Sequence, residues 1–238
     1  MSTKVLYEAS GGIGWITMND PDRRNALSEE LVGGLISVIK AADADGGVRV
    51  MVLTGTGMSF SAGGDLAVFA ESARKSAPQH HEEGEIHTEL FRLGATVRKP
   101  IIAAVNGHAL GGGCGLVAMC HIALAAEEAK LGTTEIKVGL VPLVILPWIR
   151  RTVGHKNALR MMLTGDVMNA EEAGEYCAVL RPKVAVPTHY AFTAGPMRDR
   201  LFLKYDGTPE RFQRAVAHHA PETNAQVLAP GEPLTLDG

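Results

Sequence analysis

Three successive glycines, Gly111–Gly113, constrain the fold of this chain more than any other feature, because they stand between apolar segments. Before them, Ile101–Val105 has the continuous apolar character of a buried strand, and after them comes a short apolar helical run. Glycine lets the backbone approach a ligand closely and adopt positive φ. The free N–H groups and the positive end of the following helix would point back to the same place. Such a site can stabilise an oxyanion with backbone groups alone, which indicates an enzyme.

Composition argues against several classes of protein. The 238 residues are 46% hydrophobic, enough for a sizeable core in one or two domains. The formal net charge of −3 carries no polybasic bias, so we expect no nucleic-acid partner. No apolar run approaches the ~20 residues that span a membrane, and the first residues lack the apolar core of a signal peptide. We therefore expect no membrane association and a cytoplasmic location.

The three cysteines agree with that location. Cys114 and Cys120 fall in one apolar helical run, Cys177 stands apart, and no CxxC pair is present. Because free cysteines are usually buried, we expect unpaired thiols in a reducing compartment.

Strand and helix patterns alternate along the first 179 residues. Val5–Ser10 and Gly14–Met18 flank a Gly-Gly pair and predict a hairpin. Ser28 is a plausible N-cap for a helix with an apolar stripe that runs to about Asp43. The other predicted elements are strands at Val48–Thr54, Ile101–Val105 and Ile122–Ala126, a glycine-rich loop at Gly55–Leu66, and a helix at His80–Val97. This alternation predicts an α/β fold with parallel strand pairing.

Two glycine-rich loops, Ser59–Leu66 and Gly107–Gly113, each follow a buried strand. Ligands of open α/β layers bind beyond the carboxyl ends of the strands, so both loops can face one crevice. One backbone N–H from each loop would then form a pair of donors to a single carbonyl oxygen, which would hold enolate charge on that oxygen.

Proton transfer at such a site needs one base near the reacting carbon, and Glu135 is the candidate. It lies in an apolar run with Leu131, Ile136, Val138 and Leu140. Removal of a carboxylate from water raises its pKa, so this group could titrate nearer neutrality.

Four segments resemble the crotonase superfamily, the enoyl-CoA hydratases and isomerases. They are Asn19–Leu27 (NDPDRRNAL), Phe60–Leu66 (FSAGGDL), Ala103–Leu116 (AAVNGHALGGGCGL) and Leu131–Pro142 (LGTTEIKVGLVP). Their order and spacing match the family from about residue 5 to residue 179, and together they are highly specific.

The resemblance implies a fold, a substrate class and a set of site residues. The fold is a spiral of ββα turns (the ClpP/crotonase fold), assembled as trimers or pairs of trimers. The substrates are acyl-CoA thioesters, so CoA is part of the substrate, and neither a separate cofactor nor a metal is implied. The family's oxyanion donors correspond to the N–H groups of Ala62 and Gly112, and Glu135 moves the proton. The implied CoA and substrate contacts are Arg24, Ala26, Leu27, Ala62, Gly63, Gly64, Asp65, Leu66, Gly111 and Gly115.

One departure bears on the reaction. Family hydratases usually carry a second glutamate in the helix after the glycines, where this chain has Gly115. Hydration needs water activation and proton delivery, which two carboxylates share, whereas a double-bond shift needs one base. We therefore favour isomerase over hydratase chemistry, and leave Asp65, Glu85 and Glu89 open as sources of a second group. Residues 143–145 (Leu-Val-Ile) also replace family glycines, which could narrow or reshape the pocket.

The tail, residues 180–238, departs from the family and forms the second predicted domain after the 1–179 core. Its PTHY motif and the segments around it resemble the carboxyl end of a metallo-β-lactamase-fold hydrolase, in which the histidine corresponding to His189 binds metal. The chain has no HxHxDH run, and an isolated histidine cannot hold a catalytic zinc. We therefore expect a non-catalytic tail.

Two other functions stay open. A catalytically defective acyl-CoA-binding protein is one, because the second glutamate and the family's closing helices are both missing. A metallo-hydrolase is the other, and only the tail suggests it.

Overall fold

The computed structural model describes residues 3–65 and 76–169, together with two short strands at 184–185 and 224–225; within 77–83 the backbone alone is described. The chain separates into two compact units, residues 1–167 and 168–238. This division comes before the boundary at 179 that the sequence suggests, and the two-domain assignment stays a prediction.

The first unit alternates strands and helices as expected. Its strands are β1 (Val5–Ser10), β2 (Ile13–Met18), β3 (Val50–Gly55), β4 (Ser59–Ser61), β5 (Ile101–Val105), β6 (His108–Leu110), β7 (Ile122–Ala125) and β8 (Leu131–Gly132). The next strand, β9 (Val167–Met168), includes the last residue of this unit and the first of the second. Its helices are α1 (Glu29–Ala44), α2 (Ala77–Thr96), α3 (Gly112–Met119), α4 (Leu146–Val153) and α5 (His155–Thr164). Short 3-10 turns occupy Pro21–Arg23 and Glu135–Val138.

A five-stranded sheet forms the main layer, in the order β1-β2-β3-β5-β7. β1 and β2 pair antiparallel, which confirms the predicted hairpin, and the other neighbours pair parallel. Parallel strands need crossovers that cover the faces of the sheet, so its strands carry the apolar runs seen in the sequence. The fully buried side chains Ile16, Met18 and Leu53 belong to this layer.

A smaller sheet takes the order β4-β6-β8-β9. Each of the long strands β3, β5 and β7 is followed by a short strand of this second sheet, and β4, β6 and β8 pair parallel. Two strands followed by a helix make one turn of the chain, which confirms the predicted ββα architecture. β4 lies inside the segment predicted as a loop; three residues are too few to show a periodic pattern.

α1 covers the main sheet and follows its sequence signals closely. The Leu31 N–H donates to Oγ of Ser28 at 3.4 Å, so Ser28 is the N-cap, and Glu29 and Glu30 lie in the first turn. The apolar stripe is buried, with Leu35 and Ile39 fully excluded from solvent.

In the second unit, two dipeptides pair as parallel strands, with Val184 opposite Asn224 and Ala185 opposite Ala225. His189 and Leu66, two residues singled out by sequence, lie outside the described residues. None of the helices in the described part is long and apolar enough to cross a membrane.

Candidate active site

The two glycine-rich loops lie against each other. A Cβ on Gly63 would collide with the Leu110 carbonyl oxygen and lie 3.0 Å from the Gly112 nitrogen. A Cβ on Gly113 would collide with the Ser61 carbonyl oxygen and lie 2.9 Å from the Ser61 Cβ. Gly63 also has φ +88°, which disfavours any other residue. Only glycine permits this approach, so the two loops are in direct contact.

The segment Arg24–Leu27 is bonded to the first loop through main-chain groups. The Ala62 N–H donates to the Arg24 carbonyl at 2.9 Å, and the Leu27 N–H donates to the Gly63 carbonyl at 2.8 Å. Leu27 and Gly64 also form a parallel bridge. Two groups of predicted CoA contacts, 24–27 and 62–65, are therefore neighbours. Ala26 and Leu27 are buried, and Arg24 is exposed.

The hydrogen bond from the Ala62 N–H to Arg24 is at odds with the role that the resemblance implied for this N–H. The resemblance implied that the Ala62 N–H would bind the substrate oxygen, but this N–H already has an acceptor. Within the described residues, the amides of Gly64 and Gly112 have no recorded protein acceptor, and a Cβ on Gly112 would lie 3.8 Å from the Gly64 nitrogen. Among the described residues, the amide of the first loop that remains free for a ligand is therefore that of Gly64, two residues after Ala62. Which amide turns toward the crevice depends on local φ values that a residue pattern does not reveal.

Asn25 organises this region, and sequence analysis missed it. It is fully buried and adopts φ +54°, next to Arg24 at φ +53°. Asn tolerates this left-handed region better than most residues. Its Nδ2 donates to the carbonyls of Ser59 at 2.8 Å and Thr56 at 3.0 Å, and its Oδ1 accepts from the Asp20 N–H at 2.9 Å. Asn25 thus joins the Arg24–Leu27 segment to β4. The feature of the sequence that could have revealed it is an Asn at a place where the chain must turn sharply.

The other acidic candidates, Asp65, Glu85 and Glu89, form ion pairs or lie at the surface. Asp65 is buried, and its Oδ2 lies 2.5 Å from an Arg23 guanidinium nitrogen. Glu89 is exposed and pairs with Lys40 at 2.5 Å, while Glu85 is exposed on the same helix. The Asp65 ion pair agrees with a role in holding its loop.

Glu135 opens a 3-10 turn, and its carboxylate lies against the glycine triplet. A Cβ on Gly111, the N-cap of α3 at φ +52°, would lie 3.1 Å from Oε1 of Glu135. Oε2 is buried and, among the described residues, has no hydrogen-bond partner. Burial raises the pKa of this carboxyl above its ordinary value, and a backbone hydrogen bond opposes the shift. The predicted direction of the pKa shift is confirmed.

The cause of that burial differs from the prediction. Ile136 and Val138, expected to surround the carboxylate, are exposed. The carboxylate instead packs on α3, near the buried Cys114 thiol. Desolvation and, as a smaller cause, the negative charge of Glu135 raise the pKa of this thiol to about 12. Cys114 therefore stays protonated at neutral pH.

Gly115 is buried, and two apolar side chains occupy the space beside it. A Cβ at this position would collide with Cγ2 of Ile145, and would lie 2.7 Å from the Ile145 Cβ and 3.0 Å from Cε1 of Phe91. Ile145 and Phe91 are themselves buried. No side chain, acidic or otherwise, fits at residue 115 without displacing them.

Comparison with known proteins places this geometry in a family. The sequence profile described as enoyl-CoA hydratase/isomerase matches residues 8–184, about three quarters of the chain. The chain belongs to this enoyl-CoA hydratase/isomerase family. The match extends past residue 179, the predicted end of the core.

Individual relatives support the family assignment. A Thermus thermophilus protein that carries the provisional name enoyl-CoA hydratase is 40% identical over 169 residues, covering 71% of this chain and 67% of the relative. Crotonyl-CoA hydratase of Syntrophomonas wolfei is 35% identical over 191 residues, covering 77% and 71%. A crystal structure of an enoyl-CoA hydratase from Shewanella pealeana superposes with a TM-score of 0.71 at 30% identity, covering 74% and 66%.

These family matches span about two thirds of the length of such relatives. They confirm the predicted crotonase fold of the core. They give no support to the metallo-β-lactamase resemblance of the tail. Over the described ranges, no group of three or more His, Cys, Asp or Glu side chains could hold a metal ion.

Proposed function

We propose that this chain acts on unsaturated acyl-CoA thioesters and shifts their double bond. One observation carries the proposal: a buried Glu135 carboxylate oxygen, which has no hydrogen-bond partner in the part of the chain that the structure describes, belongs to a carboxylate that lies against Gly111 of the glycine triplet. Burial raises the pKa of this carboxyl above its ordinary value, which favours proton uptake by the unpaired oxygen.

The amides of Gly64 and Gly112 would bind the thioester oxygen. Both belong to loops held in contact by glycines, so the donors are positioned before substrate arrives. Preorganised donors of this kind stabilise the enolate more than the ground state, and each contributes about 10²–10³ in rate. Here the Gly64 amide takes the place that the resemblance gave to Ala62.

Glu135 would carry the proton. From a 3-enoyl thioester it removes a proton at C2, and the C–H electron pair moves into the enolate held by the two amides. The electrons then return as a C2–C3 double bond while C4 takes the proton from the Glu135 carboxyl. The carboxylate is regenerated, and the reaction consumes neither water nor a resident cofactor.

The nucleotide part of CoA would bind along Arg24–Leu27 and the loop at 62–65. Arg24 is exposed and can reach a phosphate, and Ala26 and Leu27 offer a buried apolar surface beside main-chain groups. CoA enters as part of the substrate.

The test is Glu135→Gln, assayed with 3-enoyl and 2-enoyl thioesters. We expect the double-bond shift to fall by about 10³-fold or more, because Gln cannot accept the proton. Calorimetry should show that an acyl-CoA analogue still binds. Glu89→Gln is the matched control, since Glu89 is an exposed glutamate paired with Lys40, and it should keep the wild-type rate. A Glu135→Gln enzyme with near-normal rates on both substrates would disprove the assignment.

Hydration is the second candidate, because relatives such as the Syntrophomonas wolfei protein are named hydratases. The same assay separates the alternatives by product. A 3-hydroxyacyl thioester formed faster than the shifted alkene would make the chain a hydratase. Binding of the analogue without turnover by the wild-type protein would make it an acyl-CoA-binding protein.

A further inference from the structure

Gly111 is the N-cap of α3, and Gly115 follows it four residues later. The Gly115 N–H donates to the Gly111 carbonyl at 3.1 Å, which sets the two glycines one turn apart along the chain. The Glu135 carboxylate occupies the space over Gly111, and Ile145 occupies the space over Gly115. The carboxylate and the isoleucine therefore lie against positions one turn apart at the start of α3.

Ile145 is held firmly in that place. It is the N-cap residue of α4, and its side chain is 3% exposed. Phe91 of α2 closes the other side of the same space. Elsewhere along this interface, a Cβ on Gly94 of α2 would lie 2.6 Å from the Met119 carbonyl oxygen, so α2 and α3 are closely packed there too.

We propose that Ile145 is a positioning residue that fills the space beside Glu135 and denies it to a nucleophilic water. This inference rests on the proposed function and deepens it. Hydration joins a water oxygen to C3, transfers one water proton to a base and adds a proton at C2. With the space over Gly115 filled by hydrocarbon, a water on that side has no room. The same glutamate can still carry a proton between C2 and C4.

Ionisation of Glu135 offers a readout of this arrangement. The titratable and charged groups on the elements that pack around its turn are Cys114 of α3, His155, Lys156 and Arg160 of α5, and Lys137 in the turn itself. Arg160 pairs with Asp166 at 3.9 Å, and the Cys114 thiol is protonated. Desolvation is the largest cause of the raised Glu135 pKa, so water admitted beside the carboxyl should lower that pKa.

The first experiment is Ile145→Ala, with Ile149→Ala as the matched control. Ile149 is buried one turn further along α4, and it is not among the side chains nearest to a Cβ on Gly115, so its truncation removes the same atoms from the core without opening that space. We expect Ile145→Ala to raise the ratio of hydration to double-bond shift at least about tenfold. Its acid limb of kcat should also move to lower pH, because water beside Glu135 lowers the carboxyl pKa. Ile149→Ala should change neither quantity.

An unchanged product ratio and pH profile in Ile145→Ala would overturn the inference, as would equal changes in both variants. If the wild-type protein turns over neither substrate, the proposed function fails instead. The placement of Ile145 is then tested alone, by infrared titration of the carboxyl band that Glu135→Gln removes. This band should titrate at lower pH in Ile145→Ala than in the wild type, and an unchanged titration would again overturn the inference.

A stability cycle tests the contact without any assay of turnover. Gly115→Ala should lower the denaturation midpoint strongly in the wild-type background, because the added Cβ meets Ile145. In an Ile145→Gly background the same substitution should lower the midpoint much less, since glycine is well tolerated at an N-cap. Equal losses in the two backgrounds would show that residues 115 and 145 are not coupled, and would overturn the inference.

Discussion

At the scale of single residues, burial of the Glu135 carboxyl lowers the stability of the folded chain at high pH. Its carboxyl has a raised pKa because the folded chain removes it from water. The folded state therefore binds this proton more tightly than the unfolded state does. Stability then falls as pH rises from the ordinary glutamate range through the raised pKa. The proposed base thus lowers the stability of the fold where it is ionised.

This linkage predicts that Glu135→Gln is more stable than the wild type above neutrality. The difference should shrink as pH falls and vanish below about pH 4, where both chains carry a neutral group at this position. Thermal denaturation of both proteins across that range measures it. Glu89→Gln, altered at the surface, should follow the wild-type curve. A Glu135→Gln protein less stable than the wild type at high pH would mean that the ionised carboxylate is well solvated.

Asn25 is a second residue on which the site depends. Asn25→Ala would leave the carbonyls of Ser59 and Thr56 without their donor in a buried place, and we expect a loss of about 3 kcal/mol in unfolding free energy. Affinity for an acyl-CoA analogue should fall as well. Asn19→Ala is the control, because that exposed amide makes one bond, to the Thr3 carbonyl, and its loss should cost less than about 1 kcal/mol. Urea denaturation and calorimetry measure both, and equal losses would contradict this role.

At the scale of elements, close backbone contacts join the N-terminus of α3 to β4. The Gly113 Cα lies against the Ser61 main chain, and the Gly63 Cα lies against that of Leu110. The two loops therefore move together, and the amides of Gly64 and Gly112 keep their spacing. Precision in the proposed oxyanion site comes from packing between elements and not from any one side chain.

Gly113→Ala should disturb this packing. The new Cβ meets the Ser61 carbonyl, so α3 must shift, and we expect kcat/KM to fall by about 10²-fold with a stability loss of about 2 kcal/mol. Gly46→Ala is the control, since a Cβ there has no heavy atom within 4 Å and its φ is not positive; its effect should stay within about 0.5 kcal/mol. Kinetics and denaturation of both variants provide the comparison, and a fully active Gly113→Ala would refute the argument.

How far sequence predicts structure differs from element to element. β1 and β5 were predicted to the residue, and the Ser28 cap was found, because apolar patterns and capping residues are local signals. β4 was missed because its three residues carry no pattern. In the site, Glu135 stood out as a lone acid in an apolar run, and its contacts with α3 did not. The meeting of Gly115 with Ile145 was not predictable, since it joins distant positions through tertiary packing.

At the scale of the whole molecule, one stretch of the first unit exposes apolar side chains in close succession. They are Ile136, Val138, Val141, Leu143 and Val144. Contiguous apolar surface of this kind marks a contact region. The segment starts one residue after Glu135, so anything that covers it also lies close to the proposed base.

We expect this chain to assemble as a homotrimer or a pair of trimers. Light scattering should then give three or six times the 25.2 kDa of one chain. Leu143→Glu should shift the mass toward a single chain, because a charge in an apolar contact is costly, whereas Leu143→Met should not. A single-chain mass for the wild type at every concentration would contradict the assembly. An unchanged mass for Leu143→Glu would place the contact elsewhere.

Main-chain hydrogen bonds hold the segment Arg24–Leu27 in place, and this affects how the ligand contacts of such a protein can change. The bonds from Ala62 to Arg24 and from Leu27 to Gly63 depend on backbone atoms only. Replacement of the Arg24 side chain therefore leaves the register between this segment and the first glycine-rich loop untouched. The proposed contact with the carrier's phosphates can then change at that position while the reactive end of the ligand meets the same main-chain groups.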